Sequence, residues 1–182
     1  MNGEKRQKTT AVRSAKECAY IAVFVAVLIA VQLVLSALPV ELVSVLFLSY
    51  AFVFGIRRGI AAATAFSLLR QFIFGFFPTV LILYLIYYNA LAVLFGGLGR
   101  ICKKPVRLLA VIVVCACICT VAYTLLDNLI TPLWYGYSAE ARRAYFYASL
   151  SFMLPQTAGV GVSAALLFLP LERAFRLVKR TL

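Results

Sequence analysis

The sequence predicts an all-α membrane protein, a six-transmembrane-helix bundle with N- and C-termini cytoplasmic. Three observations lead there. Hydrophobic residues make up 64% of the 182, mean hydropathy is +0.99, and charged residues fall in short runs between long apolar stretches, the pattern of membrane spans. Six segments reach or approach the about 20 apolar residues that cross about 30 Å of hydrocarbon. Finally, 15 of the 18 Lys and Arg fall on one side if all six segments cross, which makes that side cytoplasmic by the positive-inside rule.

The elements follow in order. Residues 1–15 are a basic N-terminal segment with Lys5, Arg6, Lys8 and Arg13, and the first span runs from Lys16 to Ala37. That apolar run is too long for a cleaved signal and lacks a small-residue cleavage site, so it is read as a mature helix. A short second span covers Glu41 to Gly55, and Arg57 and Arg58 occupy the next turn. The third, Gly59 to Phe76, contains Arg70; the fourth, Pro78 to Gly99, is followed by Arg100, Lys103, Lys104 and Arg107. The fifth spans Leu108 to Ile130 and the sixth Tyr147 to Pro170. The membrane domain is thus expected over residues 16–172, with a basic cytoplasmic tail over 173–182 carrying Arg173, Arg176, Lys179 and Arg180. The segment "TPLWYGYSAEARRAYFYASL" is expected to be the longest non-helical stretch, on the face opposite the termini. It reads either as an interfacial aromatic belt or as a loop that closes over a ligand with stacking rings and phenol hydroxyls.

Topology accounts for the net charge of +12, so no nucleic-acid partner is expected. The chain has no histidine, which removes a Ser-His-Asp arrangement, an H-E-x-x-H zinc site and imidazole acid/base catalysis. No G-x-x-x-x-G-K-[ST] phosphate loop occurs. Cys115, Cys117 and Cys119 lie inside the fifth helix, where alternate positions do not share a face, and zinc would need four convergent ligands; they read as small packing residues. Cys18 and Cys102 sit at the cytoplasmic boundary, which argues against disulfides. Neither a catalytic group, a metal site nor a cofactor is expected.

Polar residues inside the apolar spans point to function. Arg70 lies about 16 Å into the third helix at 1.5 Å per residue, where an arginine must face the bundle and find a partner. The fifth helix contributes Asp127 and Asn128. The fourth brings Tyr84, Tyr87, Tyr88 and Asn89, and the sixth Tyr147, Ser151 and Gln156 around an expected kink at Pro155. All lie in the outer half, beneath Trp134. One account is internal pairing, led by an Arg70–Asp127 ion pair. The other is an outward polar cavity for a small molecule, in which the planar donor fork of Arg70 selects a carboxylate or phosphate.

The first helix carries a different signal. Ala15, Ala19, Ala22, Ala26 and Ala30 fall within a sector of about 80° at 100° per residue. In lipid, small residues four apart let backbones approach closely, so this smooth flank either packs within the bundle or docks another membrane protein.

Together, the six helices in about 180 residues, cytoplasmic termini, A-x-x-x-A spacing and outer-half polar groups resemble the substrate-binding S-component of energy-coupling factor (ECF) vitamin transporters. "FGIRRGIAAATAF" looks like that family's link between its second and third helices and "GGLGRICKKP" like its basic turn after the fourth. The layout from Leu108 through "LWYGYS" to "AYFYASLSFMLPQTAG" is similar to the thiamine-binding branch. The resemblance implies that Ala22, Ala26 and Ala30, extended by Ala15 and Ala19, dock on the shared transmembrane T-component, which two ATPases drive. It further implies capture of a nutrient outside and a toppling movement that delivers it inward. Thiamine-binding members use an acidic residue in the fourth helix and a histidine in the fifth. Here Tyr87 or Tyr88 and Asp127 or Asn128 stand near those places, so another water-soluble vitamin, precursor or amino-acid-like nutrient with an anionic group is expected. The substrate-binding set is Arg70, Tyr84, Tyr88, Asn89, Asp127, Asn128, Trp134, Tyr147 and Gln156, the membrane that of a prokaryotic cell. The alternative is a scaffold protein similar to the rod-shape determinant MreD, which has no small-molecule substrate; an intramembrane enzyme lacks a nucleophile, base or metal cluster.

Overall fold

The computed structural model describes residues 2–35, 42–101 and 105–181, with side chains over 15–35, 42–101 and 105–180. Each expected segment forms one helix: α1 Asn2–Leu35, α2 Leu42–Phe54, α3 Ile56–Phe74, α4 Pro78–Ile101, α5 Pro105–Trp134 and α6 Ala139–Thr181. The expected helix ends at Ala37 and Glu41, the residues Cys102, Lys103 and Lys104, and the side chains of Lys5, Arg6, Lys8 and Arg13 lie outside the described residues. Four stretches are long and apolar enough to cross a membrane: Ala15–Leu35, Pro78–Ile101, Pro105–Trp134 and Ala139–Arg180. The chain is accordingly a multi-pass helical membrane protein.

The two remaining helices depart from that pattern for different reasons. Three arginines, Arg57, Arg58 and Arg70, interrupt the hydropathy of α3. The 13 residues of α2 reach only about 20 Å at 1.5 Å per residue. Yet α2 is the core of the molecule: every residue from Ser44 to Phe54 is buried, which is the fate of a helix that is apolar all round. It packs chiefly against α4 and α6, with α1 and α3 on its other side; α5 and α6 form the most extensive helix pair. Ser49, polar within this core, returns its hydroxyl to the Val45 carbonyl at 2.7 Å.

Glycines set how closely the helices meet. A single residue, Gly55 at φ 85° and ψ 176°, joins α2 to α3, a conformation that only glycine reaches without strain. This tight link lies against the end of α4. A Cβ built on Gly96 would stand 2.7 Å from the Ile56 nitrogen, and one on Gly99 2.0 Å from the Phe52 carbonyl oxygen. At this basic end Arg58 pairs with Glu17 at 2.6 Å, Arg176 pairs with Glu172 one turn earlier on α6, and Lys179 donates to the Val53 carbonyl. Phe24, Tyr50, Phe54 and Phe175 pack their rings beneath these charges.

The aromatic segment expected as a long loop is almost entirely helical. Helix α5 continues through Pro132 to Trp134, and α6 begins at Ala139, which leaves four connecting residues. The Tyr137 amide donates to the Pro132 carbonyl at 3.0 Å and the Gly136 amide to the Leu133 carbonyl at 3.4 Å, with Gly136 at φ 64°. This is the Schellman arrangement, in which a left-handed glycine closes a helix. Ser138 then caps α6, its hydroxyl accepting from the Ala141 amide at 3.2 Å. At its other end α6 runs past the expected stop at Pro170 to Thr181. A proline removes only one hydrogen bond from a helix, and packing of the flanking turns sustains the rest.

Candidate functional site

At the end of the bundle away from the basic turns, three helices converge on Arg70. From α3 its Nε donates to Gln32 Oε1 on α1 at 3.2 Å, and Gln32 Nε2 donates to the Tyr84 hydroxyl on α4 at 3.0 Å. The guanidinium also lies over two rings, 4.4 Å from the Tyr84 centroid and 4.8 Å from that of Phe74. This is how a bundle accommodates an arginine at depth: cation–π contacts and a hydrogen bond stand in for water. One donor stays orphaned, since Nη1 is buried and has no partner.

An aromatic wall continues from Tyr84. It contacts Tyr88 and Phe66, and Tyr123 of α5 packs edge-on against it with centroids 6.2 Å apart. Tyr87 lies 4.9 Å from Tyr123. Tyr88 is buried, edge-on to both Phe47 and Phe66 at 5.0 Å.

A second polar group lies between α5 and α6. Asp127 accepts from Thr131 at 2.6 Å and from Tyr145 at 2.7 Å, and Asn128 Nδ2 donates to Ser149 Oγ at 2.6 Å. Tyr123, on the same helix as Asp127 and one turn before it, reaches the first group through its ring contacts with Tyr84 and Tyr87. The ion pair that internal pairing would have used does not form: Arg70 turns to Gln32 and Tyr84, and Asp127 to two hydroxyls. Buried acceptors without partners remain on Asn89 (Oδ1), Asn128 (Oδ1) and Thr157 (Oγ1).

Arg70, Tyr84 and Tyr88 are therefore gathered in one cluster, and Asp127 and Asn128 in its neighbour. Asn89 uses its amide nitrogen on the Leu85 carbonyl of its own helix at 2.7 Å. Gln156 is half-buried on α6. Trp134 and Tyr147 are 56% and 69% exposed. Sequence reasoning missed Gln32 and Tyr123. A lone glutamine in the apolar run "AVQLVL" was the available signal, because an amide within a span needs a partner.

The five alanines of α1 all face outward, whereas Phe24, Val25, Leu28 and Ile29 on the opposite side are buried. The smooth flank is not consumed by packing within the bundle. Neither a protein-family model, a curated protein nor a solved structure matches the chain. The side chains alone define what this end of the bundle can hold. They offer a buried guanidinium nitrogen without a partner beside flat aromatic walls, which suit an anionic group. Among the described residues no group of three His, Cys, Asp or Glu is placed to hold a metal ion.

Proposed function

We propose that the chain is the substrate-binding membrane subunit of an ECF-type importer in a prokaryotic plasma membrane, with six spans and both termini cytoplasmic. The Arg70 cluster, in the outer half of the bundle, captures a small water-soluble nutrient with an anionic group. The exposed alanine flank of α1 docks the transmembrane T-component, and two ATPase subunits power delivery by toppling. The observation that supports this reading is the orphaned Nη1 of Arg70: a half-buried cation, held by side chains from two other helices, has this one nitrogen buried with no partner, which suits an anion that arrives from outside the chain.

Mass spectrometry of small molecules released from the purified, denatured protein tests the reading directly. A stoichiometric anionic nutrient is expected, and adding it back should raise thermal stability by ligand linkage. Protein that is repeatedly empty, with no thermal shift from any anionic nutrient, favours the scaffold instead. The hydrogen bonds among Asp127, Thr131 and Tyr145 are the feature that suits a scaffold, since they satisfy one another without a ligand.

A further inference from the structure

The basic end of the bundle carries a second unfilled position, far from Arg70. Two carboxylates face it among the described residues, and each is engaged: Glu17 with Arg58 and Glu172 with Arg176. Among the described residues, the Lys179 ammonium meets the Val53 carbonyl and, 5.9 Å from its centroid, the Phe54 ring. Arg58 lies over that same ring, 5.7 Å from its centroid. Three cations from α3 and α6 thus stand at this end with two paired carboxylates among the described residues. Beside them α3 begins at Gly55 without a side-chain cap.

The surroundings favour one kind of anion. Arg57, exposed in the first turn of α3, heads an exposed apolar face that continues through Ile60, Ala61, Leu68 and Phe72 along the same helix. Cations at one end of an apolar flank match a molecule with a phosphate head and hydrocarbon chains. A free phosphate would have no use for that flank.

We propose that the α2–α3 turn and the last turn of α6, through Lys179, Arg58 and Arg57, bind the phosphodiester headgroup of an acidic phospholipid, whose acyl chains lie along α3. The lipid supplies the counter-charge that Lys179 lacks among the described residues and pins the end of α6 to the α2–α3 turn.

The test uses the full chain in neutral detergent, with native mass spectrometry and thermal unfolding against added phosphatidylglycerol, phosphatidylcholine or inorganic phosphate. Phosphatidylglycerol should bind and stabilise the wild type, whereas phosphatidylcholine should not. Lys179→Gln should weaken that binding about fivefold, the change expected for one basic residue at an acidic surface. Because Lys179 also holds the Val53 carbonyl, the exposed Arg57→Gln is the second variant, with a loss of the same order. Arg100→Gln, on the end of α4, serves as the control and should lose less than about twofold. An equal loss in the control reduces the effect to general surface charge and overturns the site. Equal stabilisation by inorganic phosphate overturns the lipid assignment, and undiminished phosphatidylglycerol binding in both variants overturns the proposal.

Discussion

Replacing Arg70 with methionine separates a ligand anchor from a structural brace. Methionine keeps the unbranched apolar stem and removes the guanidinium. An arginine at the centre of a membrane helix costs about 2.5 to 3.5 kcal/mol even on the lenient insertion scale, and that cost disappears in the variant. Against this stand the losses. The Gln32 hydrogen bond is worth about 0.6 and at most about 1.7 kcal/mol within a bundle, and the contacts with Tyr84 and Phe74 about 0.5 to 1 kcal/mol each. The two sides nearly cancel, so the ligand-free variant should unfold within about 1 kcal/mol of the wild type. Ligand binding should behave oppositely. Losing one member of a buried charge pair costs about 2 to 5 kcal/mol, a drop in affinity of roughly 30- to 4,000-fold. Thermal unfolding of the empty protein and direct binding of the recovered nutrient measure the two quantities independently. A variant destabilised by more than about 3 kcal/mol, on the scale of breaking a buried ionic network, would mark Arg70 as a brace, and unchanged affinity in a folded variant would refute its role as anchor.

Other consequences can be measured on the same preparations. Gln32→Leu removes the acceptor of Arg70 Nε; it should lower ligand affinity several-fold by loosening the guanidinium, whereas Leu33→Ala, on the exposed side of α1, should leave affinity unchanged in the same titration. Ala22→Leu combined with Ala26→Leu should abolish co-purification with the T-component yet keep ligand affinity and alter stability by less than about 0.5 kcal/mol, as expected for exposed sites; lost ligand binding would count against a docking flank. Gly99→Ala places a methyl where the Phe52 carbonyl oxygen already sits, 2.0 Å away, and should cost about 1 to 3 kcal/mol as overpacking, whereas Gly97→Ala, with open space around it, should unfold like the wild type.

The helices were legible because their signals are local and repeated. Apolar length, charge runs and turn residues place α2 to α5 within a few residues at their described ends, whereas α1 starts earlier, at Asn2, and α6 extends beyond both of its expected ends. The chief miss was the segment from Thr131 to Leu150, where seven aromatic or proline residues suggested irregular chain. The decisive signals there were Gly136 and Ser138, a C-terminal and an N-terminal helix cap two residues apart, and they outweigh a proline that packing tolerates. The central position of α2 was not legible either. A 13-residue apolar helix reads as a marginal span, and only the assembled bundle reveals that its neighbours enclose it. For the polar groups, Arg70, Tyr84, Tyr88, Asp127 and Asn128 were legible in the sequence, but Gln32 and Tyr123 were not, nor was which residues would meet. Whether Arg70 pairs with Asp127 or with Gln32 depends on helix rotation, and a single span does not encode the rotation of its neighbour.

Helix α1 joins the two halves of the proposed mechanism. Its contacts to α3 include a polar tether at either end, Glu17 to Arg58 near the basic turns and Gln32 to Arg70 at the far end, while its alanine flank stays open. An anion that engages Nη1 must compete with, or reinforce, the orientation that Gln32 imposes through Nε of the same guanidinium. On the proposed reading, occupancy at Arg70 therefore alters how firmly the far end of α1 is held, and the docking flank belongs to that same rigid helix. Hydrogen exchange supplies the measurement: amides of α1 around Gln32 should exchange more slowly with ligand than without, and Gln32→Leu should erase the difference although ligand still binds at higher concentration. Identical exchange along α1 in the empty and loaded protein would disconnect the ligand site from the docking helix.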